Sequence, residues 1–151
     1  MKEYTFEEIL LKDGFLAYTC TGYSMMPLLR PGRDVVVIKK KDSSRCKRLD
    51  VVLYRRGDMY VIHRVLRVLP KGYVIAGDHN AFLEYDIKDK DILGVMVKFI
   101  RHGKSITTDN IVYKAYSHLW CDLYPLRVVI LRIKGHLRDL IVKVISGLCH
   151  A

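Results

Sequence analysis

The sequence predicts a mainly β protein of the α+β class, with an antiparallel β-body between a short N-terminal helix and a helical C-terminal extension. Runs of β-branched and aromatic residues, separated by turn-forming residues, fill positions 15 to about 99, and such runs are typical of strands. After Lys104 the apolar residues recur at the spacing of a helix. Because 50% of the 151 residues are hydrophobic, the chain can bury a core without disulfides or metals.

The first element is a short helix with clear end signals. Thr5 and Glu8 stand at the two positions of a capping box, in which each side chain binds the other residue's backbone N–H. An apolar turn follows, and Gly14 is a suitable C-terminal stop. The pattern predicts a helix over residues 5–13.

Six strands are predicted after this helix. Gly57 and Asp58 form a pair that favours a tight hairpin between the third and fourth strands. Pro70-Lys71-Gly72 predicts the next corner. Short connections of this kind join antiparallel neighbours. The predicted strands cover residues 15–21, 34–39, 50–55, 59–69, 73–76 and 92–100.

The C-terminal extension carries apolar residues at alternating spacings of three and four, which places them on one helical face. We expect this face to pack on the β-body. Pairing with a second copy is one alternative, and lying on a membrane surface beside Arg127, Lys134 and Arg138 is another. We divide the chain into a body, residues 1–110, and an extension, residues 111–151. The face comprises Leu126, Ile130, Ile133, Leu137, Leu140 and Val144.

The charge is strongly basic, with 26 Lys and Arg against 16 Asp and Glu and a formal net charge of +10. Such a balance favours anionic surroundings, such as nucleic acid, acidic lipid or acidic peptide. The loop of residues 39–48 concentrates six basic residues and one acid. This loop could attract phosphate or anionic lipid by charge alone, although most such loops are simply solvated hairpin ends.

The location predicted from the sequence is cytoplasmic. Apolar runs are far shorter than the roughly 20 residues of a membrane-spanning helix, and the N-terminus lacks the apolar segment of a secretory signal. Four widely separated cysteines without a C-x-x-C pair fit reduced thiols. Peripheral contact with an anionic membrane through the basic C-terminal helix is compatible with this location. The cysteines are Cys20, Cys46, Cys121 and Cys149.

Ser24 is the most distinctive candidate for chemistry. It leaves the first strand and enters a turn limited by Pro27 and Pro31, and such a turn can expose a hydroxyl and aim backbone N–H groups at one point. A serine nucleophile needs a base within hydrogen-bond reach. His63 is the best candidate, because strand alternation puts it on a partly apolar face that favours the neutral imidazole.

A third group would fix the tautomer of such a base. Asp78 follows the next strand and is our first candidate, although the Gly-Asp-His-Asn sequence around it could be only a turn. Glu84 and Asp86 are rivals for the same role. Taken alone, a strand histidine such as His63 is more often a packed or surface residue than a catalytic one.

Three motifs in order carry a family resemblance. They are Ser-Met-x-Pro beginning at Ser24, His-Arg-Val beginning at His63, and Gly-Asp-x-Asn beginning at Gly77. In this order they resemble the motif boxes of the signal-peptidase and LexA-like serine peptidases, over about residues 15–100. The His-Arg-Val box is similar to that of the endoplasmic-reticulum and archaeal signal peptidases, which use histidine where most bacterial enzymes use lysine.

The resemblance implies a LexA and signal-peptidase-like β-fold and a serine endopeptidase that cleaves a leader or signal-type peptide through an acyl-enzyme. It implies Ser24 as nucleophile, His63 as general base, and Asp78 or Asp86 as the third member. The family binds its substrate as an extended strand beside the sheet, so its partner is a peptide or precursor protein. Residues expected to line such a groove are Tyr23, Met25 and Met26.

Several positions depart from the family pattern. The usual Gly-Asp after the serine box reads Gly32-Arg33-Asp34, and Gly22 stands where some relatives have a hydroxyl that binds the oxyanion. The backbone N–H of Ser24 then remains the clearest oxyanion donor. No membrane anchor and no scissile Ala-Gly pair before Ser24 is found, so we expect cleavage in trans.

The competing interpretation is a non-catalytic module that binds a peptide or nucleic acid on the same β-fold. We favour the enzyme and expect no nucleic-acid partner. No cofactor is expected, and no metal, because the candidate ligands lack the paired short spacing of zinc or calcium sites. The oligomeric state is left open. The candidate ligands are His63, His79, Glu84, Asp86, Asp89 and Asp91.

Overall fold

The computed structural model describes residues 4–148, and these form eight strands and three α-helices, confirming the mainly β, α+β fold class. A short 3-10 helix, Asp89–Asp91, precedes β7. The helices are α1 (Phe6–Asp13), α2 (Ile111–Asp122) and α3 (Tyr124–Leu148). The strands are β1 (Phe15–Thr19), β2 (Val35–Lys40), β3 (Val51–Arg56), β4 (Met59–Leu69), β5 (Gly72–Ala76), β6 (Glu84–Ile87), β7 (Ile92–Arg101) and β8 (Lys104–Thr107).

Helix α1 begins and ends as its sequence predicts. The Thr5 hydroxyl accepts from the Glu8 N–H at 3.2 Å, and the Glu8 carboxylate accepts from the Thr5 N–H at 2.8 Å. Gly14 adopts a left-handed φ of 75° and donates its N–H to the Leu10 carbonyl, the conformation that glycine adopts at helix ends. The helix buries Leu10 against the sheet.

The strands form one antiparallel sheet in the order β1-β2-β7-β3-β4-β5-β6, with β8 paired to β7. The predicted hairpin is present: Gly57 and Asp58 connect β3 to β4, and Arg56 pairs with Met59. Two strands, β6 and β8, were not predicted. Each has only four residues and no buried one, so neither gives the apolar signal on which a strand prediction depends.

Strand β3 separates the two main parts of the core. Val51 and Leu53 pack in the cluster beneath α1 and the Ser24 turn. Val52 and Tyr54 pack on the other face, in the cluster that includes β5. Because successive side chains of a strand point to opposite faces, a strand buried on both sides reads as a continuous apolar run.

Helix α2 is part of the body. Its N-cap, Asn110, accepts hydrogen bonds from the first backbone N–H groups of the helix. Its inner side buries Tyr113, Ser117 and Cys121 against the sheet. The boundary predicted at residue 110 therefore falls just before α2, a helix that packs on the β-body.

Helix α3 departs from the sequence expectation. Its apolar face does not pack on the β-body: Ile133, Leu137 and Leu140 are each more than half exposed. The packing prediction is wrong because only the first turns of α3 meet the body. Arg127 is buried there and Leu131 is half-buried, whereas every described side chain from position 136 to 143 is exposed. The side chain of Val144 lies outside the described set.

Two further features bear on the sequence expectations. Within residues 4–148, no helix combines the length and the apolar content needed to cross a bilayer. Cys20, Cys46 and Cys121 are buried free thiols, and Cys149 lies outside the described residues.

Candidate active site

Ser24 lies in a turn that follows β1 and is held at both ends. Inside the turn, the N–H of Met26 donates to the Tyr23 carbonyl at 3.1 Å, and the N–H of Leu29 donates to the Met25 carbonyl at 2.9 Å. Leu29 is completely buried and fixes the far end of the turn in the core. The packing leaves the Ser24 side chain half-exposed.

A second loop, residues 77–80, packs closely against the Ser24 turn. The N–H of His79 donates to the Ser24 carbonyl at 2.7 Å. A Cβ atom at Gly77 would lie 2.5 Å from that carbonyl oxygen and 2.9 Å from Nδ2 of Asn80. The glycine therefore permits a close approach that no larger residue could make without displacing the Ser24 turn.

Ser24 and His63 line the same cleft, which has a volume of about 680 Å³. The cleft lies beside β1, which is an outer strand of the sheet and contributes Tyr18 and Thr19 to the wall. The opposite wall comes from β4. The lining residues are Phe6, Tyr18, Thr19, Cys20, Thr21, Gly22, Ser24, Met25, Arg56, Met59, Tyr60, Val61, Ile62, His63 and Asn80.

The two ring nitrogens of His63 have different neighbours. Nδ1 lies 2.7 Å from Glu84 Oε1 and 3.0 Å from the Tyr54 hydroxyl. Among the described residues, the one hydrogen-bonding contact of Nε2 is with the Asn80 amide nitrogen, at 3.5 Å. Since a carboxylate can only accept, Nδ1 carries the proton and Nε2 presents its lone pair. This is the tautomer that a general base requires.

The surroundings favour the neutral imidazole and the ionised carboxylate. Burial lowers the pKa of His63 below its ordinary value of 6.5, and the attraction of Glu84 offsets this only in part. Burial acts to raise the pKa of Glu84, but the Tyr54 hydrogen bond, the His63 ring when it is protonated, and the charge of Arg56 outweigh it and lower that pKa. Arg56 lies 3.2 Å from Glu84 Oε2.

The carboxylate that contacts His63 is that of Glu84, which the sequence analysis kept as a rival to Asp78. The first choice, Asp78, is wrong because both its oxygens bind Arg64, at 2.8 Å each. Asp86 is also wrong: it is exposed, has a left-handed φ of 64°, and makes no contact with His63 among the described residues.

Arg64 and Asp78 form a buried ion pair that attaches α2 to the sheet. Arg64 donates to the Ser117 hydroxyl at 3.0 Å, and the Tyr116 hydroxyl donates to Asp78 at 3.1 Å. The indole N–H of Trp120 donates to the Asp78 carbonyl at 2.9 Å. Each charged group therefore has several partners, as a buried ion requires.

The three expected substrate-binding residues do not share one location. Met25 lines the cleft and is buried, with 3% of its surface exposed. Tyr23 is 67% exposed and does not line the cleft. Met26 instead lines a second cavity, behind the Ser24 turn. Of the three, only Met25 can contact a ligand in the cleft directly.

The carboxylate of Asp34 has a structural role. Its oxygens bind the Arg33 guanidinium at 2.8 Å and the Arg101 guanidinium at 2.9 and 3.1 Å. The Arg30 N–H donates to it at 2.9 Å. Although burial acts to raise the pKa of Asp34, these hydrogen bonds and charges hold it well below its ordinary value. The arrangement fixes the end of the Ser24 turn to β7.

The sequence analysis gave no role to Tyr54, Arg56 or Asn80. The register of the β3–β4 hairpin could have indicated Tyr54. Tyr54 pairs with Val61, so His63 is its diagonal neighbour, and such neighbours are within reach of an aromatic side chain. Asn80 belongs to the third motif, but no pattern in the sequence shows that it faces His63.

Comparison of the chain with protein-family models, curated proteins and solved structures finds no match. Among the described residues, no three His, Cys, Asp or Glu side chains are grouped to hold a metal ion. The description of the site therefore depends on the contacts of this chain alone. They place a serine and a histidine on the wall of one cleft and a carboxylate on Nδ1 of the histidine, and no hydrogen bond joins Ser24 to His63 among the described residues.

Proposed function

We propose that the protein is a serine endopeptidase that cleaves a leader or signal-type peptide through an acyl-enzyme formed on Ser24. The observation that carries the proposal is that Ser24 and His63 line one cleft, while Glu84 contacts Nδ1 of the histidine from outside that lining. A nucleophile, a base and a group that orients the base are the parts that such chemistry needs.

The proposed reaction proceeds in two steps. Nε2 of His63 takes the proton of the Ser24 hydroxyl as its oxygen attacks the carbonyl carbon of the scissile peptide. The C–N bond then breaks, and the imidazolium gives its proton to the leaving amine. In the second step His63 takes a proton from water, whose oxygen attacks the acyl-ester carbon. The bond between that carbon and Ser24 Oγ then breaks, the imidazolium returns a proton to Ser24 Oγ, and the carboxylic acid product leaves.

The other groups stabilise charge as it develops. The Glu84 carboxylate beside Nδ1 favours the imidazolium that forms in each step. The backbone N–H of Ser24 is the donor we assign to the oxyanion. Asn80 lies at the limit of hydrogen-bonding distance from Nε2, so its amide leaves the lone pair of the histidine available.

The shape of the cleft fits an extended peptide. Among residues 4–148, strand β1 pairs only with β2, so its outer edge presents backbone groups to which a peptide can add as a further strand. Tyr18 and Thr19 of this edge line the same cleft as Ser24. A peptide held there would pass the nucleophile with its backbone extended.

Digestion of a diverse peptide pool, followed by mass spectrometry, tests the proposal. We expect the wild-type chain to cleave a subset of peptides, and Ser24→Ala and His63→Ala to reduce the rate by about 10⁴-fold. Ser43→Ala and His118→Ala are matched controls, because both residues are exposed and outside the cleft. Wild-type cleavage by either site variant would overturn the proposal.

One observation favours a binding module as the second candidate. A cavity of about 220 Å³ is lined by several basic residues of the 39–48 loop, although Lys41 and Arg45 already pair with Asp89. Salt-dependent affinity for nucleic acid, together with no peptide cleavage by the wild-type chain, would support this candidate instead. The lining cations are Lys39, Lys40, Lys41, Arg45 and Lys47.

A further inference from the structure

Helix α3 presents a continuous apolar face to solvent. At 100° per residue, seven of its side chains fall within an arc of about 120°. Each of these seven is between 44% and 57% exposed. We call them the apolar face of α3. They are Leu126, Val129, Ile130, Ile133, Leu137, Leu140 and Ile141.

Basic side chains flank this face on both sides. The same projection places Lys134 and Arg138 along one edge and Arg132 and Lys143 along the other. With Arg127 the helix carries five cations against one acid, Asp139, which gives it a net charge of +4. Long cationic side chains at such edges can place their apolar stems in a lipid surface and their charges among the headgroups.

The charge pattern of α3 argues against a second copy of the chain as the partner that covers the apolar face. Paired helices align the residues that flank their apolar faces, and stable pairs place opposite charges there. Two copies of α3 would bring cations together, with Asp139 the one acid on each helix. An anionic bilayer complements both features, because it buries the apolar face and attracts the cations on its flanks.

The apolar face of α3 continues as far as the loops that carry the candidate active site. A second cavity, of about 350 Å³, lies between α3 and the loops that carry the site, with Leu126 and Ile130 on one wall and Met26, Pro27 and His79 on the other. Ser24 and Asn80, from these same two loops, line the catalytic cleft. The two concavities therefore lie on opposite sides of one pair of loops.

We propose that α3 lies on an anionic lipid surface and holds the Ser24 turn at the boundary between water and lipid. The docking itself is independent of the proposed peptidase activity. Its use, to select peptides that emerge from or lie on a membrane, rests on that proposed function. At 1.5 Å per residue the 25 residues of α3 extend for about 37 Å along the surface.

Flotation of the 151-residue chain with lipid vesicles tests the docking. We expect flotation with vesicles that contain phosphatidylglycerol, little with pure phosphatidylcholine, and a decrease as salt rises. The Ile133→Asp, Leu137→Asp double variant should lose flotation. Leu11→Asp is the matched control, because Leu11 is an exposed leucine on α1 and its variant should float normally.

A charge reversal provides a second, independent measurement. Reversing Arg132, Lys134 and Arg138 to glutamate should weaken partition onto anionic vesicles by more than about 100-fold, because losing each cation near the surface costs about 1 kcal/mol and the new carboxylates add repulsion. The matched control reverses three exposed lysines on the β-body and should retain most of the binding. These control positions are Lys71, Lys90 and Lys104.

Three outcomes would overturn the docking: no flotation with anionic vesicles, flotation unaffected by the double variant, or a dimer that uses the apolar face without vesicle binding. Nucleic-acid binding through α3 without flotation would do the same. Ser24→Ala should float like the wild-type chain. The flotation result can therefore be interpreted even if the protein cleaves no peptide.

Discussion

Glu84 Oε1 lies 2.7 Å from His63 Nδ1, although the two residues belong to strands that do not pair with each other. Strand β5 separates β4 from β6, and Ile75 of β5 pairs with both Val65 and Glu84. The carboxylate thus reaches His63 across an intervening strand. The sheet order, and not the spacing of residues in the chain, selects the acid that orients the histidine.

The pH dependence of cleavage should report this contact. Because burial lowers the pKa of His63, we expect the midpoint of the acidic limb of kcat/KM, where the imidazole becomes protonated, to lie below the ordinary histidine pKa of 6.5. Glu84→Gln should reduce kcat/KM by about 10²–10⁴-fold. The same substitution should also shift the acidic limb of the pH profile to lower pH, since the charge of Glu84 raises the pKa of His63.

The control for this measurement is Asp86→Asn, which removes an exposed carboxylate two positions away on the same strand. Its pH profile should match that of the wild-type protein. A shift of the acidic limb to higher pH in Glu84→Gln, or an unchanged rate, would contradict the assigned role of Glu84.

Asp78→Asn should destabilise the fold by about 3 kcal/mol or more, because it leaves the buried Arg64 guanidinium without its counter-charge. The measurement is urea unfolding at neutral pH, and Asp86→Asn serves as the matched substitution at an exposed site. If Asp78→Asn unfolded at the wild-type urea concentration, the ion pair would not be the attachment that we describe.

Gly77→Ala should lower both stability and cleavage. The new methyl group would meet the Ser24 carbonyl and the Asn80 amide at distances that real Cβ atoms do not reach, so one of the two loops must move. We expect a loss of about 1–3 kcal/mol in the free energy of unfolding and a lower kcat/KM. Gly22→Ala is the control, since a Cβ there has no neighbour within 4 Å; equal behaviour of the two variants would argue against this close packing of the two loops.

Truncation should separate the two C-terminal helices. A chain that ends after Leu123 should retain a cooperative thermal transition, because it keeps the contacts of α2 with Arg64 and Asp78. A chain that ends after Asn110 loses those contacts and the buried side chains of α2, so we expect no cooperative transition. Similar melting curves for the two chains would show that α2 is dispensable.

The fold was largely predictable because most of its strands are buried and its turns carry distinctive residues. The apolar runs that became β3 and β5 and the Gly57-Asp58 turn are signals of local sequence. The position of α3 was not predictable. An apolar helical face predicts that another surface covers it. The face does not identify whether that surface is the β-body, a second copy of the chain or a membrane.

The candidate site was predictable only in part. The motifs indicated Ser24 and His63 because each has a recognisable local setting, a proline-limited turn and a strand. The acid could not be chosen, since Asp78, Glu84 and Asp86 all follow β5 and only the return of the chain along β6 decides which one faces His63. The burial of Arg64, which engages Asp78, is likewise a tertiary property.

The alternation along β4 has a consequence for how this molecule could be re-engineered. His63 and Arg64 are adjacent and point to opposite faces of the sheet, one toward the cleft and the other toward α2. A different helical appendage could be grafted onto the second face, provided that it offers Arg64 a hydroxyl and Asp78 a donor. Such a chimera would keep the cleft of Ser24 and His63 and carry a different helix on the opposite face of β4.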